Sequence, residues 1–164
     1  MTSQKNWRDD ALYQQLIADL LPAPAVQMLG SITQHHFTTR LEHSLRVSYW
    51  SYRVAKLMRL DVRAIARAGL LHDLFYYDWR TTKFDEGSHA YMHPRIALKN
   101  AQRLTRISDK EADIIVKHMF GATPQLPKYA ESWVVSLVDD VVAIREYIVP
   151  KSWLFMYKVQ MSFA

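Results

Sequence analysis

Cysteine is absent from the chain's 164 residues. That excludes a disulfide framework and any thiolate metal site, so a bound metal would need nitrogen and oxygen donors. Glycine is scarce, at four residues, and no segment alternates apolar and polar positions for long. The chain therefore reads as all-α, a bundle of about six to eight helices. Long apolar runs are missing as well: the longest, from Trp133 to Val149, is interrupted by Asp139, Asp140, Arg145 and Glu146, which excludes a membrane span. The opening MTSQKNWRDDALYQQ lacks the basic-then-apolar pattern of a signal peptide, so a cytoplasmic location is expected. Basic and aromatic residues do not interleave as in a nucleic-acid reader, and no motif of that kind is present.

What the chain has is enough apolar material, 49% of its residues, for one sizeable core and too little length for two. A single domain over residues 1–164 is expected. The formal charge of +5 suits a small anionic substrate, and equally a solvated basic surface.

A first helix is expected from about Trp7 to Leu20, with Leu12, Leu16, Ile17 and Leu20 on one face and Pro22 and Pro24 ending it. A shorter piece from about Ala25 to Thr33 follows, and His35 and His36 fall in a polar connector. Thr39 and Glu42 form a capping box for a long helix reaching about Leu60, on which His43, Val47, Trp50, Val54 and Leu57 line one face. Asp61 caps the next helix, where Val62, Ile65, Gly69 and His72 recur at helical spacing, so His72 continues a buried stripe. The adjacent carboxylate, Asp73, is costly to bury alone and calls for a cation or several donors.

The polar and aromatic stretch YYDWRTTKFDEGS, residues 76–88, is long enough to lie over a site as a lid. In the following HAYMHPRIALKNAQRL, His89 and His93 stand four residues apart. Pro94 suits a first turn, which predicts that the regular helix starts there, with His93 at its beginning and His89 in the loop. Ser108 and Glu111 open a helix that carries Ile114, Ile115 and His118 on one face and is broken by Gly121, Pro124 and Pro127. A last long helix, about Ala130 to Val149, presents Val135, Asp139, Val142 and Ala143 on one side. Two carboxylates in its apolar middle, Asp139 and Asp140, are unusual. The tail PKSWLFMYKVQMSFA reads as a short packing helix.

Five segments thus carry inward-facing residues able to ligate a metal: His43, His72 with Asp73, His93, His118 and Asp139. Any one alone is more often a satisfied core histidine or a solvated aspartate. On separate helices, they can meet at one point inside a bundle. Periodicity leaves Asp139 and Asp140 equally available.

The order His, His-Asp, His, His, Asp resembles the HD superfamily of metal-dependent phosphohydrolases, and within it the branch with six protein ligands around two metals. TRLEHSLRV, LLHDL, HPRIAL and SLVDDVVAIRE are similar to that family's ligand segments, so the resemblance runs from about Arg40 to Glu146, with the N-terminal helix and C-terminal tail packed on this core. Leu74-Phe75 stands where many relatives have Ile-Gly, and Ala97 where a glycine is often found. The resemblance implies that His43, His72, Asp73 and Asp139 hold a first metal, that His93 and His118 hold a second, and that Asp73 bridges the two. It selects Asp139 over Asp140 and makes Asp73 and His72 catalytic.

The activity implied is hydrolysis of a nucleotide, dinucleotide or related phosphate ester by a hydroxide held between two cations. Nitrogen and oxygen ligands suit iron, manganese, zinc or nickel, with magnesium a further candidate. Arg40, Arg46, Lys83, Arg95 and Lys117 neighbour the ligand segments and are candidate phosphate contacts. The expected partner is a small phosphorylated substrate, without membrane or nucleic acid, and the oligomeric state is left open. Two other readings share the ligand order: a mixed-valent di-iron oxygenase of the same superfamily and a non-catalytic ligand-binding module.

Overall fold

A computed structural model describes residues 6–35 and 38–162, the side chains of 35 and 149–162 excepted. The fold is all-α: a 3-10 turn at Trp7–Asp9 leads into α1 (Ala11–Ile17), α2 (Pro24–Gln27), a second 3-10 turn (Met28–Ser31), α3 (Arg40–Met58), α4 (Val62–Leu71), α5 (His89–Leu104), α6 (Asp109–Lys117) and α7 (Ala130–Ser162). The expected first helix is shorter than its periodicity because the Asp10 carboxylate takes the Tyr13 amide at 3.1 Å and fixes the start there. Its buried side is Tyr13, Ile17 and Leu20, while Leu12 faces out. A small antiparallel ladder, β1 (Thr33–His35) with β2 (Thr38–Thr39), lies in the stretch expected to be a polar connector. His35 closes β1, and His36 lies outside the described residues.

The Thr39/Glu42 box caps α3 as expected. The buried face of that helix is rotated from the one the apolar spacing suggests: Trp50 and Leu57 are 41% and 87% exposed, whereas Ser44, Ser48 and Ser51 are buried. Small serines are what close helix packing needs. A Cβ built on Gly69 of α4 would lie 2.9 Å from the Ser48 Cα, so α3 and α4 touch almost backbone to backbone. The Ser48 hydroxyl donates to the Ala66 carbonyl at 2.6 Å and accepts from the Tyr13 hydroxyl at 2.7 Å, which satisfies both groups in the dry seam.

Helix α4 is the axis of the molecule. It packs against α1, α3, α5, α6 and α7, and every residue from Ala64 to Phe75 is buried. Its Arg67 is buried too, with Asp19 at 2.5 Å and Glu111 at 3.4 Å. Helix α5 starts at His89, five residues earlier than Pro94 suggested. The proline removes one helical donor, but Pro94 is buried together with His93, Ala97 and Ala101, and that packing outweighs the lost bond. The Ser108/Glu111 box opens α6. The last helix runs on through Pro150 to Ser162, so the tail is a continuation of α7 and not a separate element; how it packs lies outside the described side chains. Among the described residues no helix is long and apolar enough to cross a membrane.

Replacing Gly69 by alanine should lower unfolding stability by about 1–3 kcal/mol, because the new methyl meets backbone that cannot rotate away. Urea titration of the two proteins measures this. An unchanged midpoint would mean that α3 and α4 can part without cost.

Candidate metal centre

Residues of five helices meet behind the α4 C-terminus. His72 is the C-cap of α4 and His118 the C-cap of α6, His43 sits in the first turns of α3, His93 in the second turn of α5, and Asp139 in the third turn of α7. All are buried, with His72 fully so.

Each imidazole is held by the same ring nitrogen. His72 Nδ1 donates to the Gly69 carbonyl at 2.7 Å, His118 Nδ1 to the Ile115 carbonyl at 2.8 Å, and His93 Nδ1 to the His89 carbonyl at 2.9 Å. His43 Nδ1 donates to the Glu146 carboxylate at 3.0 Å. Every Nε2 therefore faces the shared centre. His93 Nε2 and His118 Nε2 are 2.8 Å apart, and with both protons committed at Nδ1 these are two lone pairs facing each other. The buried His72 Nε2 has no hydrogen-bond partner. Such an arrangement is unfavourable for neutral rings alone and is what a cation between them would relieve.

Two carboxylates complete the cluster. Asp73 Oδ1 lies 3.3 Å from His93 Nε2 and 3.8 Å from His118 Nε2, while its Oδ2 is 3.8 Å from His72 Nε2. Its two oxygens thus face two different sets of nitrogens. Asp139 Oδ1 lies 2.9 Å from His43 Nε2 and 3.7 Å from His72 Nε2. Three overlapping groups have donor atoms close enough to share an ion: His43, His72 and Asp73; His72, His118 and Asp139; Asp73, His93 and His118. Asp140 points out of the bundle on the far side of α7, so the choice that periodicity left open falls to Asp139.

The electrostatics show how much charge is concentrated here. Burial alone would depress His43, but its bonds to Asp139 and Glu146 hold its pKa up to about 10. His72 is also raised, since Asp73 and Asp139 outweigh its burial. His118 goes the other way, down to about 3, through burial and the neighbouring His93 and His72. Burial would raise both aspartates, yet the surrounding imidazoles keep Asp73 and Asp139 well below the ordinary carboxylate range. The carboxylates stay charged, and without metal the balance is made by protons on the histidines.

Supporting contacts fix the doublet from several directions. Gln34, carried on β1, donates to Asp73 Oδ2 at 2.7 Å and accepts from Arg40 Nε at 2.7 Å. The buried Arg40 also donates to the Phe75 carbonyl at 2.6 Å and lies 3.6 Å over the Phe75 ring, which also neighbours the rings of Tyr77 at 4.6 Å, His93 at 5.3 Å and His89 at 5.4 Å. Asn100 of α5 donates to the Leu74 carbonyl at 2.8 Å, and Ser136 of α7 to the His118 carbonyl at 2.7 Å. Arg46 grips the other oxygen of Glu146 at 2.6 Å, making a chain from Arg46 through Glu146 to His43. Sequence reasoning passed over Gln34 and Glu146. The second had a signal, since it stands seven residues after Asp139 and so on the same face of an apolar helix; a residue on a two-rung ladder had none.

Of the basic residues expected near substrate, Arg40 is a buried support of the doublet instead of a free cation. Arg46 is tied to Glu146, Lys117 to Asp113 at 2.6 Å, and Arg95 lies over the Tyr91 ring at 3.4 Å. Lys83 is exposed on the 76–88 segment. That segment leans on the site through Arg80, which donates to the Gln34 carbonyl at 2.9 Å, and through Tyr77 and Trp79 around His89. His89 stacks on His93 at 4.4 Å, and its Nδ1 hydrogen-bonds with the Tyr77 hydroxyl at 3.1 Å. Burial and the nearby His93 push its pKa down to about 4, and it belongs to none of the ion-sized groups.

No curated protein and no solved structure matches the chain. The family model for the HD domain matches residues 40–144, most of the chain and every member of the cluster from His43 to Asp139. A histidine-aspartate pair at the end of a buried helix, with further imidazoles and a carboxylate brought to it from four other elements, is thus this molecule's version of a shared design: the chain belongs to the HD domain family.

Proposed function

We propose that the cluster holds two divalent cations and that the protein hydrolyses a small phosphate ester of the nucleotide or dinucleotide class. The observation that carries this reading is the convergence of four buried Nε2 atoms on two buried carboxylates, with that of His72 left without a hydrogen-bond partner and those of His93 and His118 facing each other at 2.8 Å. His43, His72, Asp73 and Asp139 would hold the first ion and His93 and His118 the second, with Asp73 common to both. When bound, such ions neutralise phosphate oxygens and activate water. The donor set suits iron, manganese, zinc or nickel, with magnesium as a further candidate.

The chain's own residues prepare that chemistry. Glu146 accepts from His43 Nδ1–H, and backbone carbonyls accept from those of His72, His93 and His118, so each ring presents its Nε2 in one orientation. Gln34 holds Asp73 by its Oδ2 and keeps the carboxylate from rotating. Lys83, exposed and outside the ion pairs that occupy Arg46 and Lys117, is our candidate for contact with the substrate phosphate.

Elemental analysis of the purified protein, run beside a screen of phosphate esters, tests the reading. We expect about two ions per chain in the wild type, close to none in Asp73→Ala, and about one in His118→Ala with hydrolysis reduced by several orders of magnitude. His89→Ala should keep both ions. Saturation at one ion with full turnover would overturn the two-metal mechanism, and an iron pair that consumes oxygen with substrate would assign the site to an oxygenase.

Glu146→Ala should weaken metal affinity about 10–100-fold in a titration monitored by a competing chelator, because His43 loses the acceptor that orients it. Equal affinity in both proteins would show that the helix alone positions this ring.

A further inference from the structure

We infer that this chain forms a parallel two-fold dimer through the outer face of α7. On the side of that helix opposite the core, Leu137, Val141, Ile144 and Ile148 are 61%, 64%, 58% and 55% exposed. Their spacing of four, three and four residues is that of the d, a, d, a positions of a heptad, the pattern that places one seam of a helix against another helix. Surface-exposed apolar residues are ordinary when scattered; four in register along one helix are not.

The flanking charges choose the occupant and its direction. With Val141 at a, Asp140 falls at g and Arg145 at the following e position, one on each side of the seam. In a parallel in-register pair, g of one helix faces e of its partner five residues on, so Asp140 of each copy meets Arg145 of the other, twice by symmetry. An antiparallel pair would set g against g and e against e, leaving two arginines to face each other. Both residues are exposed, and neither forms an ion pair with another described residue. Among the described side chains the seam runs from Leu137 to Ile148.

A seam of twelve residues is too short to hold two chains by itself. It is widened by the groove between α3 and α7, where Trp50 and Met58 of α3 lie 41% and 55% exposed beside Leu137 and Val141. The dimer is therefore a four-helix contact, with α7 of each copy against its counterpart and α3 on either flank. The groove reaches Arg46 and Glu146, which support His43, but none of Leu137, Val141, Ile144 and Ile148 belongs to the cluster, so the inference stands independently of the function proposed for it.

Light scattering on the full chain should give twice the chain mass of 19.2 kDa. Leu137→Asp should return it to the single-chain mass while leaving the far-ultraviolet spectrum and melting curve of a folded helical protein. Asp140→Lys and Arg145→Asp should each weaken association, and the two together should restore it. Because the chain has no cysteine, a single Val141→Cys places the only thiol on the two-fold axis, and mild oxidation should give a covalent dimer, whereas Gln102→Cys on exposed α5 should not. A wild-type monomer, a dimer unaffected by Leu137→Asp, or a Val141→Cys dimer that fails to cross-link would each overturn the proposal.

Discussion

Two ionised carboxylates inside a protein are expensive, and almost everything near the end of α4 follows from having Asp73 and Asp139 there. Both are buried, so the charge is met by what the fold brings: His43, His72, His93 and His118, each from a different element. The opposing pKa shifts of His43 and His118 express this. The protons go to the ring that sits between two carboxylates, and are refused by the ring that sits among other imidazoles. A pair of cations would satisfy the same carboxylates without crowding like charges, which is why the geometry reads as a container for metal and not as a salt-bridge network.

The architecture serves that container by stiffness. The close contact of Gly69 with Ser48 fixes α3 against α4, and hence His43 against His72. The doublet itself leaves the helix and would be free to move, but Gln34, Arg40 and Asn100 bind its side chain and the carbonyls that follow it. Phe75 fills the space between Arg40 and His93 and so makes the turn after the doublet a packed one.

The fold class and the family were legible because their signals are local: caps at Thr39, Asp61 and Ser108, and histidines at the inner positions of helices. What the sequence hid were properties of contact. The inner face of α3 could not be read from apolar periodicity, since its closest packing uses Ser48, whose hydroxyl bonds to Ala66 and Tyr13 of other helices. The start of α5 was misplaced because a buried proline was weighed by its lost donor and not by its packing. Gln34 depends on a ladder too short to announce itself. Arg40 looked like a substrate cation by its neighbourhood, and only the fold reveals that its neighbourhood is the inside of the protein.

The uniform anchoring of the rings has a bearing on how this site can change over generations. Three of the four Nδ1 acceptors are main-chain carbonyls, at Gly69, His89 and Ile115. No codon change alters a carbonyl, so those three orientations are inherited with the helices themselves. The fourth belongs to a side chain, Glu146, and can be lost in a single step. Drift in the support of the cluster should therefore enter through His43, leaving the other three rings in place long after that corner has loosened.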